Sequence, residues 1–344
     1  MNKYTYRSFC VPTLLLALVC TRPSAGEEVV LIKIPNALQI FGLSPSPKGY
    51  TALAFARRED DPGEYREGKA VLLRLGAHPV VVSLNVPESL DDPQASAWMP
   101  DGQIAYFVTK EGIEKLESTS GALTREISGV FSGIALSHSG SLLATWNWEY
   151  PERKPGECKL TVFDVNSKRE LRSWVLPVAY ASDQYGHELV FLNDGTAVLA
   201  KTYDAPDSTP LRLFNIATGE VRLVSSSALS LIAVGNDAYF IESRNSRISL
   251  LKLAAGSNIP AIEASDFPFD SLGATADPRV MVAANSRTKD RALFQTSTRE
   301  ISRLGPGCDG AIPFADGRIV FVRGNELIDS SSRCGARTDR GGVD

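Results

Sequence analysis

The chain is 344 residues long, 43% hydrophobic and 22% charged, with a formal net charge of −4. Those proportions exclude a disordered or collagen-like chain. An acidic balance without a basic run also argues against phosphate-backbone recognition, so nucleic acid is not an expected partner.

The first twenty-five residues read as an export signal. Lys3 and Arg7 supply the positive start, Phe9 to Cys20 the short apolar core, and Ser24 and Ala25 the small residues before a cut. The apolar core is too short for the ~20 residues of a stable transmembrane helix. The mature chain is therefore expected to start near Gly26, outside the cytoplasm, in the periplasm or secreted. Lipid attachment at Cys20 is the weaker alternative, because Ala17-Leu18-Val19 does not place a small residue beside the cysteine. Removing Lys3, Arg7 and Arg22 leaves 33 basic against 40 acidic residues, a net charge of −7.

After the leader, one pattern recurs from end to end: an apolar stretch, a tight Gly/Asp/Asn turn, then a β-branched or aromatic run. The copies occupy residues 43–56, 97–108, 135–146, 190–200, 232–241, 272–283 and 312–322. Gly49, Gly102, Gly140, Gly195, Asn236, Asp277 and Gly317 mark the turns. Successive markers lie 38 to 41 residues apart, except for 53 after Gly49 and 55 after Gly140. That period suits a four-stranded propeller blade, ~40–45 residues. Each copy reads as a hairpin, because the turn residues tolerate positive φ and the runs suit a pleated, half-buried surface. A third strand follows each hairpin, as in AVLLRL (70–75) and LTVFDV (160–165), and usually a fourth after a second turn, as in STSGALTREI (118–127), NIATGEVRLV (215–224) and TSTREISRL (296–304).

The expected fold is therefore all-β, a seven-bladed propeller of four-stranded antiparallel blades spanning residues 26–334. The last copy, ending in ELID (326–329), lacks a fourth strand, while EVVLIKI (28–34) has no partner in its own repeat. The N-terminal strand is expected to complete blade seven and close the ring, removing exposed edges. Residues 335–344 are small, charged and without pattern, and read as a disordered tail.

No catalytic constellation is present: no G-x-S-x-G, P-loop, HExxH or GxGxxG. His78, His138 and His187 lie apart, in turns or loops. Glu59, Asp60, Asp61 and Glu64 lack the spacing of a calcium loop and read as a solvated acidic stretch. No metal or cofactor is expected. Of the cysteines beyond the leader, Cys308 and Cys334 flank the last repeat and are the expected disulfide, with Cys158 left over at a strand edge.

Polar insertions at 57–69, 147–159 and 202–210 each join a second strand to a third, and in a propeller such connections all emerge on one face. They carry Tyr65 and Arg66, then Trp148, Tyr150 and Arg153, then Tyr203, with Trp146 at the edge of the middle one. Tyr, Trp and Arg are enriched where interfaces concentrate their energy, so these seven residues are the expected contacts for a protein or peptide partner. Trp146 and Trp148 alternate along a strand, which equally suits packing between blades.

The segment Trp98-Met99-Pro100-Asp101-Gly102 with Ile104-Ala105-Tyr106-Phe107 resembles the WSPDGxxIAF hairpin of the exported bacterial TolB-type propellers, a WD40-like (PD40) repeat family. Ser44 to Phe55 is a looser copy. The resemblance implies the fold and an envelope location, but no N-terminal α/β domain precedes the blades, so the TolB role is not implied. The propellers of prolyl oligopeptidases are similar, without an attached hydrolase here. Two other functions compete with partner binding. One is a lactonase-like or quinoprotein-related propeller enzyme, with its site at the central channel. The other is a structural subunit of an envelope complex.

Overall fold

The computed structural model describes residues 29–34, 38–48, 50–58, 68–76, 78–84, 96–147, 157–177, 188–192, 195–202, 209–254, 256–257, 259–275, 277, 279–304, 312–314 and 318–331. The segments expected to be an export signal and a C-terminal tail, and Cys308 and Cys334, lie outside the described residues.

The described residues form 28 strands in seven four-stranded antiparallel sheets. Strand β1 (Val29–Lys33) comes first and stands apart from the blade that follows it. Blade one is β2 (Leu38–Pro45), β3 (Thr51–Arg58), β4 (Gly68–Arg74) and β5 (Val80–Ser83). Blade two is β6 (Ser96–Trp98), β7 (Ile104–Thr109), β8 (Gly112–Glu117) and β9 (Leu123–Ser128). Blade three is β10 (Gly133–Leu136), β11 (Leu142–Asn147), β12 (Glu157–Asp164) and β13 (Glu170–Pro177). Blade four is β14 (Leu189–Leu192), β15 (Ala197–Lys201), β16 (Leu211–Asn215) and β17 (Val221–Ser225). Blade five is β18 (Ala228–Val234), β19 (Asp237–Arg244), β20 (Arg247–Leu253) and β21 (Ala261–Ser265). Blade six is β22 (Ser271–Ala274), β23 (Val280–Ala284), β24 (Arg291–Gln295) and β25 (Ile301–Arg303). Blade seven takes β26 (Ile312–Pro313), β27 (Ile319–Arg323) and β28 (Glu326–Asp329) from the C-terminal end, and β1 pairs with β28 as its outer strand.

The fold is a seven-bladed β-propeller closed by its N-terminal strand. Beyond the ladder, Ile34 donates its N–H to Asn325 O (2.9 Å), and the Asn325 amide donates back to Ile34 O (2.9 Å). Lys33 and Glu326 add an exposed ion pair at 3.2 Å. The apolar grip is larger: Ile32 and Ile34 are buried with Phe314, Val320 and Leu327 against Ile40, Ala52 and Val71 of blade one.

Blades stack because their second strands are apolar on both faces, as in buried sheets. In β3 the alternation Ala52-Leu53-Ala54-Phe55-Ala56 sends the alanines toward blade seven and Leu53 and Phe55 toward blade two. Small residues meet large ones across each seam, so the sheets interdigitate at close-packed density. The same division repeats around the ring. Tyr106 and Val108 meet Ile134 and Leu143, while Trp146 and Leu160 meet Phe191 and Phe214. Leu199 and Leu211 meet Phe240, and Ile241 and Leu250 meet Met281 and Phe294. First strands pack on one another, β6 on β10, β10 on β14, β14 on β18 and β18 on β22, so they form the inner wall.

One turn recurs five times. In four of them the N–H of the fifth residue bonds back to the carbonyl of the first, as Gly121 to Glu117 and Gly219 to Asn215, and the turn at Asp164 is held instead by its carboxylate accepting from the Ser167 N–H. The fifth residue holds positive φ: Gly121 (77°), Lys168 (58°), Gly219 (81°), Lys289 (64°) and Arg299 (62°). An L-residue there costs roughly 1–2 kcal/mol relative to glycine. At Gly219 a Cβ would also meet Arg172 Nη1 at 2.6 Å, so the guanidinium would have to shift. That close approach is a clamp between blades three and four. Arg172 donates to Ala217 O (3.1 Å) and Trp174 Nε1 to Gly219 O (3.0 Å).

Candidate binding face

Strand direction sorts the connections. Each second strand ends, and each outer strand ends, at the same end of its blade. In blades one, three and four the second-to-third connections run over residues 59–67, 148–156 and 202–210. Their feet are fixed by the pairs Arg57–Gly68, Asn147–Lys159 and Lys201–Leu211. At the same end, blades two, five and seven make two-residue turns, between Thr109 and Gly112, Arg244 and Arg247, and Arg323 and Glu326. Blade six turns over 285–290. The long blade-to-blade connections, 84–95, 178–188 and 304–311, leave from this end too.

Of the seven expected contact residues, Tyr65, Arg66, Trp148, Tyr150, Arg153 and Tyr203 lie outside the described residues. Trp146 is described: it is 1% exposed and sits in the seam between blades three and four with Leu160, Phe191 and Phe214. Its role is packing, and it does not reach the face. Cys158 is buried in the same seam. His78 and His138 fall in turns at the opposite end, between β4 and β5 and between β10 and β11.

At the inner edge of the long-connection face lies a polar centre that joins three blades. Glu188 and Lys201 are cross-strand neighbours, one step beyond the Leu189–Ala200 pair, and Lys201 donates its backbone N–H to Glu188 O (3.1 Å). Lys201 Nζ is 3.1 Å from Glu188 Oε2, and it donates to Leu229 O of blade five at 3.0 Å. Ser230 of blade five approaches Glu188 Oε1 at 3.4 Å and accepts from the Leu272 N–H of blade six at 3.1 Å. The Glu188 stem is partly open, 31% exposed, but Oε2 is shielded from solvent. Burial pushes the Glu188 carboxyl above the ordinary carboxylate range, against the pull of Lys201 and the Leu231 and Ser230 hydrogen bonds.

Two further acids stand near the same end, and both are occupied. Glu242 accepts from Ser225 Oγ at 2.6 Å, and Asp270 accepts from Ser286 N (2.8 Å) and Ser286 Oγ (2.5 Å). Among the described residues no group of three His, Cys, Asp or Glu side chains is placed to hold a metal ion. No helix among them is long and apolar enough to cross a membrane.

Glu188 and Lys201 were not singled out from sequence. The available signal was the hairpin register: centring the turn on Asp194-Gly195 pairs Leu189 with Ala200 and hence Glu188 with Lys201. What sequence did not carry was the closure of blades five and six over the pair.

No family model matches the chain, and no curated protein matches it. Solved propellers do. An oligogalacturonate lyase from Vibrio parahaemolyticus superposes with TM-score 0.58 at 12% identity, covering 89% of this chain and 98% of that one. The Cps50 (Swd1) β-propeller domain of Myceliophteria thermophila gives 0.57 at 14%, covering 88% and 99%. TolB from Acinetobacter baumannii gives 0.45 at 15%, covering 88% and 65%. At such identities the first two show the shared propeller fold, and the TolB-type resemblance rests on the hairpin motif.

Proposed function

We propose that this chain is an exported propeller that holds a protein or peptide partner on its long-connection face. The observation that supports it is the asymmetry between the two ends of the ring. Three long second-to-third connections leave one end, whereas the first-to-second and third-to-outer connections of blades one to six, at the other end, are all short. Loops on a rigid scaffold are where recognition residues concentrate. By composition these loops carry Tyr65, Arg66, Trp148, Tyr150, Arg153 and Tyr203. Trp146, being core, is not among the contacts. In a pull-down from envelope extract, Trp148→Ala with Tyr150→Ala should lower partner recovery at least ~10-fold, as expected for two aromatic anchors. Unchanged recovery would remove blade three from the face.

A second reading, an enzyme with its site at the channel, is favoured by Glu188. A carboxyl raised by burial, even against the pull of a neighbouring ammonium group, is a candidate proton donor. One similar structure is an oligogalacturonate lyase in complex with manganese. Metal analysis of the purified chain separates the readings: a stoichiometric divalent ion favours the enzyme.

A further inference from the structure

Blade six carries a depression at the long-connection end, lined by Ser271, Ala284, Asn285, Ser286, Lys289 and Arg291. Its floor follows from strand register. Ser271 pairs with Ala284 and Ala284 with Arg291, so the three side chains stand in a row on one face. The neighbouring row, Leu272, Ala283 and Ala292, packs toward blade five, so this row faces away from that seam. Ala284 contributes only a methyl group between a hydroxyl and a guanidinium, and the gap is the depression.

Lys289 stands over it and is conformationally anomalous. Among the five recurrent turns, two place glycine at the positive-φ position and three place a cation. Lys168 reaches Glu126 at 3.4 Å and Arg299 reaches Glu263 at 2.7 Å, each a carboxylate on the preceding blade. Those ion pairs account for the side chain in a position glycine would fill without strain. Lys289 (φ 64°) occupies the same strained position but makes no side-chain hydrogen bond or ion pair with any described residue. The nearby acids are engaged: Asp270 is held by Ser286, and Asp290 accepts from Thr288 Oγ1 at 2.9 Å. Ser271, exposed, also has no hydrogen-bond partner for its hydroxyl among the described residues.

We propose that this depression is an oxyanion site, in which Lys289 and the Ser271 hydroxyl, with Arg291 alongside, take a carboxylate or phosphate group. Strain at a functional position is tolerated where a ligand gains from it, and the charge-assisted bonds to an oxyanion are the stronger kind of hydrogen bond. The site does not depend on a protein partner occupying the rest of the face.

The test uses the mature full chain and two probes in separate arms, succinate for the carboxylate source and inorganic phosphate for the other. Binding is followed by isothermal titration and by amide shifts around Ser271 and Lys289. At least one probe should saturate, and Lys289→Gly should weaken it at least ~10-fold. That variant removes the charge while placing glycine at positive φ, so its thermal midpoint should not fall and a folding defect is ruled out. Arg299→Gly removes an equal charge from the same turn type on blade six and should leave binding unchanged. Saturation by neither probe, or equal affinity in Lys289→Gly, overturns the site.

Discussion

Glu188 carries a pH signature of its own. Burial raises its carboxyl above the ordinary 4.5, so the native state holds a proton at pH values where the unfolded chain does not. The sign follows from linkage. As pH falls through the raised native value toward 4.5, the native state takes up that extra proton and gains stability. Below the ordinary value both states are protonated and the gain is complete. Glu170, Glu326, Asp164 and Asp277 are held below the ordinary range by their partners and impose the opposite trend. The Glu188→Gln variant therefore isolates one group. Urea midpoints measured across the acid range should show the variant lacking the wild-type gain on acidification. Parallel wild-type and variant curves would contradict the assignment. Because Gln mimics the protonated carboxyl, the variant should also be at least as stable as wild type at neutral pH.

The element scale is where turns and the closing strand decide stability. Gly219 combines positive φ with a Cβ position already filled by Arg172. Gly219→Ala should cost about 2 kcal/mol from conformation and displacement of the blade-three clamp. A urea titration checks it, and a loss below a few tenths would show that the clamp yields freely. The closing strand matters more. A chain beginning after Ile34 loses two buried isoleucines and the β1–β28 ladder. Full burial of each Ile side chain contributes roughly 1.5–3 kcal/mol, so the truncated chain should lose at least ~3 kcal/mol by the same titration. An unchanged midpoint would mean that blade seven does not need β1.

This scale also shows how far the sequence could be read. The hairpins were legible because glycine turns and two-residue alternation are local signals, as around Asp101-Gly102 and Ser139-Gly140. The closing role of Val29–Lys33 was legible by counting, since one blade lacked a strand and one strand lacked a blade. The turns ending in Lys168, Lys289 and Arg299 were not legible as positive-φ positions, because long cationic side chains do not advertise that conformation. Trp146 shows a different limit. Its β-strand alternation fitted both a seam and a surface, and only the neighbouring Phe191 and Phe214 of blade four settle it as core.

For the whole molecule, the ring makes the two ends of the blades different kinds of surface. One end carries short turns, many held by the recurrent five-residue pattern, and the other carries the long connections, the three-blade polar centre around Glu188 and the blade-six depression. The partner reading therefore predicts a polarity of contact, which site-specific photo-cross-linking measures directly. A benzophenone side chain placed in turn at residues 65, 148 and 203 samples the long-connection end. Placed at residues 120, 218 and 298, it samples the third-to-outer turns of blades two, four and six. The account predicts a shared adduct of one mass from the first three positions and none from the second three. Adducts confined to the second set, or distributed evenly between the two ends, would contradict it.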